Sequence, residues 1–273
     1  YDTRLGGRYR YYRDPAVQAR IVEFLGGKTI ANASARFVTT GSPARARIFD
    51  PVPVSQLWSA VERDLELSRS LWDSDALIAH LDLEHVHFDR PWDTFERPER
   101  AFELQEPVVA AIASRLAGHG IAALHVLTGR GHHWTWKIQR DSLAFAALAA
   151  LAPLPAALRG HYQAAQEPAN EPVGVPLGAA HHGLGQVLEG FAHEVLLAVQ
   201  GRAAVPVQAT AVAVGPGAEG REIVSFDLSG YGDPLFARSI RVPFSVYLKG
   251  WRAGVCAPAP RSLAPLVVVP LTP

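Results

Sequence analysis

The chain has one cysteine, Cys256, and no methionine among its 273 residues. A single thiol excludes intramolecular disulfides and cysteine-built structural zinc. No run approaches about 18 consecutive apolar residues, so no membrane-spanning helix is expected. No secretory leader is visible, and a cytoplasmic protein is expected. Net charge is absent too, because 26 Lys and Arg balance 26 Asp and Glu. There is no phosphate-cradling G-x-x-x-x-G-K-[ST] loop and no internal repeat.

What is present fits an ordinary globular core, with 48% hydrophobic and 19% charged residues. The length allows one large domain or two small ones. The charge is unevenly spread. Residues 1–50 carry nine Arg and Lys against four acids, and residues 62–106 carry thirteen acids against five Arg. From Asp227 onward there are five basic residues and two acids. Basic ends around an acidic middle suit a phosphate-binding surface beside a metal site, although the counts alone equally describe solvated charge.

Local patterns predict mixed elements. A first helix follows Asp14 as its cap and Pro15 at its first position, and Gly26-Gly27 stops it. Residues 29–50 read as short strands and turns. Residues 54–72 read as a second helix with Ser55 as a cap. Residues 75–88 alternate like a strand, 106–120 read as a helix, and 121–129 as a strand ending in a glycine turn. Residues 140–152 read as another helix. Residues 152–178 are rich in Pro, Gly and Ala and suggest a linker or long loop. A helix is expected over 181–202, a β-hairpin over 204–229, a strand over 240–248, and a proline-punctuated surface tail at the end. Hairpins outnumber regular βαβ units, so the expected class is α+β.

Three segments carry possible chemistry. In "AHLDLEHVHFD", Ala79 to Asp89, strand alternation puts His80, Asp82 and Glu84 on one face and Leu81 and Leu83 on the other. Val86 and Phe88 then break the phase, which predicts a bulge or turn near His85. Two carboxylates about 7 Å apart on one face can bridge divalent cations, and they can equally be a solvated face. "LTGRGHHWTWKI" offers Thr128, Arg130 and His133 around glycines that permit close backbone approach, or simply a turn with surface histidines. "IVSFDLSGYGDPLFARSIRVPFSVYLKGW" ends an apolar run on Asp227, with Arg238, Arg241, Ser245 and Lys249 following.

Taken in order, "IAHLDLE", "TGRGHH" and "IVSFD" resemble the archaeo-eukaryotic primase superfamily. Its members carry an hhhDhD/E strand, an S-G-x-G-x-H-like turn and an hhD strand. "YRYYRDPAVQARIVEFL" is similar to the opening helix of primase small-subunit-like proteins. "ARSIRVPFSVYLK" is similar to the R-x-P-x-S-x-H-x-K stretch after the third acid. The resemblance spans roughly residues 8–250. It implies a single primase-polymerase catalytic domain over 1–273, with an N-terminal α/β unit and an RRM-like antiparallel sheet flanking the active site. Its parts would be 1–75 (helical and basic), 76–150 (first two motifs), 151–203 (linker and helical insertion), 204–252 (third motif and basic strand) and 253–273 (tail).

By this resemblance, Asp82, Glu84 and Asp227 would hold two Mg²⁺ or Mn²⁺ ions as the catalytic metal site. Thr128, Arg130, His133, Arg241, Ser245 and Lys249 would bind the nucleotide. His132 is the alternative to His133. The implied activity is template-directed joining of NTP or dNTP to a 3′-hydroxyl or an initiating nucleotide. A single-stranded or primed template is the implied partner, with a large primase subunit, ligase, helicase or nuclease as possible further ones. The turn is shorter than in many primases, Tyr247 replaces a frequent histidine, and no cysteine cluster can hold zinc. His181, His182 and His193 read as helical surface histidines. The residues from Arg8 to Arg13 can stack bases, or their tyrosines can pack the helix onto the body. Two other readings remain. One is an inactive primase-like nucleic-acid binding or assembly module. The other is an unrelated metalloenzyme with His80, Glu84, His85 and His87 around one transition metal.

Overall fold

The computed structural model describes residues 10–41, 50–63, 66–210, 222–247 and 266–271. The first helix, α1 (Pro15–Phe24), forms as expected: the Asp14 side chain accepts from Ala16 N at 2.8 Å, and Gly26 leaves the helix at φ +87°. Strands β1 (Phe37–Gly41) and β2 (Asp50–Pro53) follow. The next helix is shorter than the sequence suggests. Ser55 lies in a 3-10 turn, Val54–Gln56, and α2 covers only Leu57–Arg63. The remainder forms strand β3 (Glu66–Ser70), which is buried throughout. Pairing overrides local preference here: β3 sits between β1 and β11 (Ser239–Arg241), in the sheet order β11-β3-β1-β2.

A second, six-stranded sheet holds the acidic segment. Its central strand, β4 (Ala76–His87), pairs antiparallel with β6 (Gly131–Gln139) on one side and β10 (Glu222–Asp227) on the other. The full order is β14-β5-β6-β4-β10-β9, with β5 at Leu124–Leu127, β9 at Val207–Ala209 and β14 at Val269–Pro270. The expected hairpin over 204–229 does not form, because β9 runs parallel to β10. Its expected turn lies outside the described residues. Of the expected tail, residues 266–271 are described, and Val267, Val269 and Leu271 are exposed there. Leu266–Val267 (β13) pairs with β12 (Val246–Tyr247), and β14 extends the large sheet along β5. Pro270 is tolerated because β14 is an edge strand.

After β4 come two short helices, α3 (Asp93–Glu96) and α4 (Pro98–Glu103), and one face of the large sheet is covered by α5 (Glu106–Gly118), α6 (Leu143–Leu151) and α8 (Val175–Val199). Leu81, Leu83, Trp134 and Phe226 are buried on this side. Each such side chain contributes about 2 kcal/mol. The expected linker is structured in part, holding α7 (Ala156–Gln163) and a small ribbon of β7 (Ala165–Gln166) and β8 (Glu171–Pro172) before α8 starts at Val175. Glycines in α8 allow close packing: a Cβ at Gly183 would lie 2.1 Å from Leu148 O. Among the described residues, no helix is long and apolar enough to cross a membrane. The fold is mixed α+β.

β4 runs without the slip expected at His85. Val86 pairs with Ile223 and His85 with Val224, with no residue skipped. His85 continues the buried phase of Leu81 and Leu83 and is itself fully buried. It is accommodated by polar partners. Nε2 lies 3.0 Å from Glu222, Nδ1 lies 3.0 Å from Thr94, and Arg100 bonds Glu222 at 2.7 Å. A polar residue at an apolar position mimicked a bulge.

Candidate functional site

The opposite face of β4 looks toward the four-stranded sheet. Between the sheets lies a cavity of about 260 Å³, lined by His80, Asp82, Glu84 and Asp227 from one side and Ser68, Ser239 and Arg241 from the other. Thr128, His133 and Tyr247 complete its wall.

Asp82 is central to it. Across β4–β10 it stands directly opposite Asp227, and across β4–β6 directly opposite His133. Directly paired residues on one face have Cβ atoms about 5 Å apart. His133 Nε2 is 3.3 Å from Asp82 Oδ1. One row over three adjacent strands thus reads Asp227, Asp82, His133. Asp227 ends its strand, and its Oδ1 accepts from Ser229 N at 2.8 Å.

His80 lies one row further along β4. Its ring meets that of His133 edge to face at 4.7 Å, and its Nδ1 is 3.3 Å from Thr135 Oγ1. Burial, and then the neighbouring His133, lower its pKa to about 3, against the pull of Asp82. The ring is therefore neutral near pH 7, the form that ligates metals.

Glu84 occupies the row on the other side and is ion-paired with Arg130. Burial, the largest single cause, works against the Arg130 charge, but Glu84, Tyr247 and Asp82 together outweigh it, and the guanidinium pKa is raised. The turn carrying Arg130 depends on glycine. A Cβ on Gly131 would lie 1.9 Å from Leu83 O, and one on Gly129 would lie 2.4 Å from the Tyr247 ring. Thr128 closes the turn, its N and Oγ1 both donating to Gly131 O at 2.8 and 3.1 Å. The Arg130 carbonyl accepts from His85 N and from Gln105 Nε2, at 3.2 Å each.

The facing wall carries Arg241 beside Ser68 and Ser239. Arg241 lies 3.0 Å from Glu66 Oε1, with its guanidinium 5.0 Å from the centre of the Tyr247 ring. Burial lowers its pKa from the ordinary value. Tyr247 is pushed up to about 12 by burial, with Arg130 and Arg241 pulling the other way, so it remains a neutral phenol.

The named residues therefore separate. Asp82, Glu84, Asp227, Thr128, His133 and Arg241 line one cavity, with Arg130 paired to Glu84 at its edge. His132 points to the other side of β6, where its Nδ1 lies 2.9 Å from His125 Nε2. Ser245 is fully buried in the turn before β12 and does not line the cavity. Lys249 and Cys256 lie outside the described residues. Tyr11 and Tyr12 turn inward: the Tyr11 hydroxyl donates to Phe244 O and the Tyr12 hydroxyl accepts from Val246 N, both at 2.8 Å. They pack the opening helix onto the body. Arg8 and Tyr9 are not among the described residues. His181 is not a surface residue, being only 1% exposed, whereas His193 is exposed.

Among the described residues, two groups can bring donor atoms within 4.8 Å of one another: His80–Asp82–His133, and the buried His85–Asp93–Glu222. The second group is occupied by Arg100 and Arg97, which supply its positive charge. The set of His80, Glu84, His85 and His87 does not converge, because His85 lies on the opposite face of β4. Sequence alternation identifies His80 as a neighbour of the acids, and the cross-strand register adds His133 to the same group.

No protein-family model matches the chain, and no curated protein is significantly similar to it. Among solved structures, it is similar to the polymerase domain from Mycobacterium tuberculosis ligase D in complex with DNA. The identity is 14% and the TM-score 0.46, over 97% of this chain and 79% of the other. A likeness this distant carries no weight in reading the site.

Proposed function

We propose that the chain is a metal-dependent nucleotidyltransferase of the primase-polymerase type, acting on NTP or dNTP with a nucleic-acid template. The observation that carries this reading is the in-register row Asp227–Asp82–His133, next to Glu84 and facing Arg241 across one cavity. The donor type fits the implied ions. Half-buried carboxylates on adjacent strands are the oxygen ligands that Mg²⁺ and Mn²⁺ take. Two such ions, held by Asp82, Asp227 and Glu84, would activate a 3′-hydroxyl and neutralise charge at the α-phosphate.

The chain's own groups do the rest. Arg241 and Arg130, ion-paired with Glu66 and Glu84, bring guanidinium groups to where the triphosphate would lie, and neutral Tyr247 offers a hydroxyl. His133, between Asp82 and the Arg130 turn, is placed to donate to a phosphate oxygen. Ser245 is buried away from the cavity.

A second reading has one observation in its favour. The His80–Asp82–His133 group is the two-histidine, one-carboxylate set of many single transition-metal sites. It predicts tight, stoichiometric iron or zinc in the purified protein, whereas the leading reading predicts weak, exchangeable Mn²⁺ or Mg²⁺.

The deciding experiment measures template-dependent incorporation of labelled NTPs and dNTPs, with and without a primer, in Mn²⁺ or Mg²⁺. Incorporation is expected to fall by at least about a hundredfold in Asp82→Asn and Asp227→Asn. Incorporation that survives both changes would refute the assigned site.

A further inference from the structure

β10 ends at Asp227, opposite Asp82, while β4 continues back to Ala76. Backbone groups alternate sides along a strand. His85 N donates to Arg130 O on the β6 side, so even-numbered residues of β4 present their N–H and C=O toward β10. His80 is the first such residue beyond the end of β10. Its two groups would be orphaned inside the protein at a cost.

They are satisfied by one side chain. The Tyr231 hydroxyl accepts from His80 N at 2.9 Å and donates to His80 O at 2.8 Å. Tyr231 sits in the turn that begins at Asp227, four residues on. Its ring stacks on His181 of α8, with centroids 5.1 Å apart and 29° between planes. α8 comes close enough for this only because residue 185 is glycine: a Cβ there would lie 2.9 Å from Tyr231 Cβ.

We propose that Tyr231 is a positioning residue for the metal-holding carboxylates. It ties the end of the Asp227 turn to the backbone two residues from Asp82, using α8 as a rigid backing. The phenol replaces the missing strand and so sets the spacing of Asp227 from Asp82 and His80. Burial raises its pKa, in keeping with a hydroxyl that must both donate and accept. This inference rests on the proposed metal site.

The test is Mn²⁺ binding to the full chain, measured by electron paramagnetic resonance, together with Tm. The variants are Tyr231→Phe, Asp82→Asn and Thr94→Val. The last removes one buried hydroxyl contact, to His85, on the opposite face of β4. Both Tyr231→Phe and Thr94→Val are expected to lower Tm by several degrees, about 5 °C. Only Tyr231→Phe is expected to weaken Mn²⁺ binding, by about tenfold. Asp82-dependent binding that Tyr231→Phe leaves unchanged, or that Thr94→Val weakens equally, would overturn this inference alone. No Asp82-dependent Mn²⁺ binding in the unsubstituted chain would overturn the proposed function and this inference together.

Discussion

Mild acid should destabilise this protein through its buried histidines. His181 is 1% exposed, and His132 is 7% exposed. Burial is the main cause that lowers the pKa of each to about 4, from an ordinary 6.5. His125 and His133 add to the effect at His132, and His182 and Arg238 add at His181. A histidine whose folded pKa is depressed is protonated first in the unfolded chain. Stability is therefore undiminished above about pH 6.5 and is lost as pH falls through the window down to about 4. At pH 5 each of the two costs about 2 kcal/mol, or about 4 kcal/mol together. His80, His85 and His125, also shifted down chiefly by burial, act in the same sense and add to this loss. Glu222 contributes nothing between pH 7 and pH 5. Its hydrogen bond from Arg100 is the main cause lowering its pKa to about 2, so its loss begins only below its ordinary 4.5. A protein with an ordinary reserve of about 5–15 kcal/mol would feel such a loss clearly. The assay is urea unfolding at pH 7 and pH 5, for the unsubstituted chain and for His181→Phe, which keeps a ring against Tyr231. The substituted protein is expected to lose about 2 kcal/mol less stability between the two pH values. Equal losses in both proteins, or no loss in either, would refute the assignment of buried neutral histidines.

Three further outcomes follow from the same geometry. Glu222→Ala removes the acid shared by His85 and Arg100, and is expected to cost about 3 kcal/mol in denaturant unfolding while leaving Mn²⁺ binding intact, because the network lies on the far face of β4. Gly131→Ala forces a methyl against the Leu83 carbonyl and Glu84 Cα, and is expected to cost about 3 kcal/mol and abolish incorporation, as read by thermal melts and the primer assay. Arg241→Gln is expected to raise the KM for nucleotide by about tenfold or more while Mn²⁺ affinity stays within about twofold, since its guanidinium faces the acids from the other sheet.

Alternation along a single strand is a local property, and the sequence by itself determined which face of β4 carries His80, Asp82 and Glu84. Asp14, Pro15 and Gly26 likewise mark the ends of α1 without any distant contact. What the chain could not reveal locally depends on partners far away in it. The stretch Glu66–Ser70 becomes a strand because β1 and β11 flank it, although its residues also continue a helical pattern. His85 looks like a break in the alternation until Glu222, Thr94 and Arg100 are seen to satisfy it. β9 runs parallel to β10, a choice made by strand packing and not by the glycines between them. The choice between His132 and His133 is a register question: adjacent residues on β6 face opposite ways, and only pairing with β4 places His133 beside Asp82. Tyr231 carries no motif at all. Its part appears only where β10 stops and β4 continues, because a hydrogen bond to an unpaired stretch of backbone needs both strands in place first.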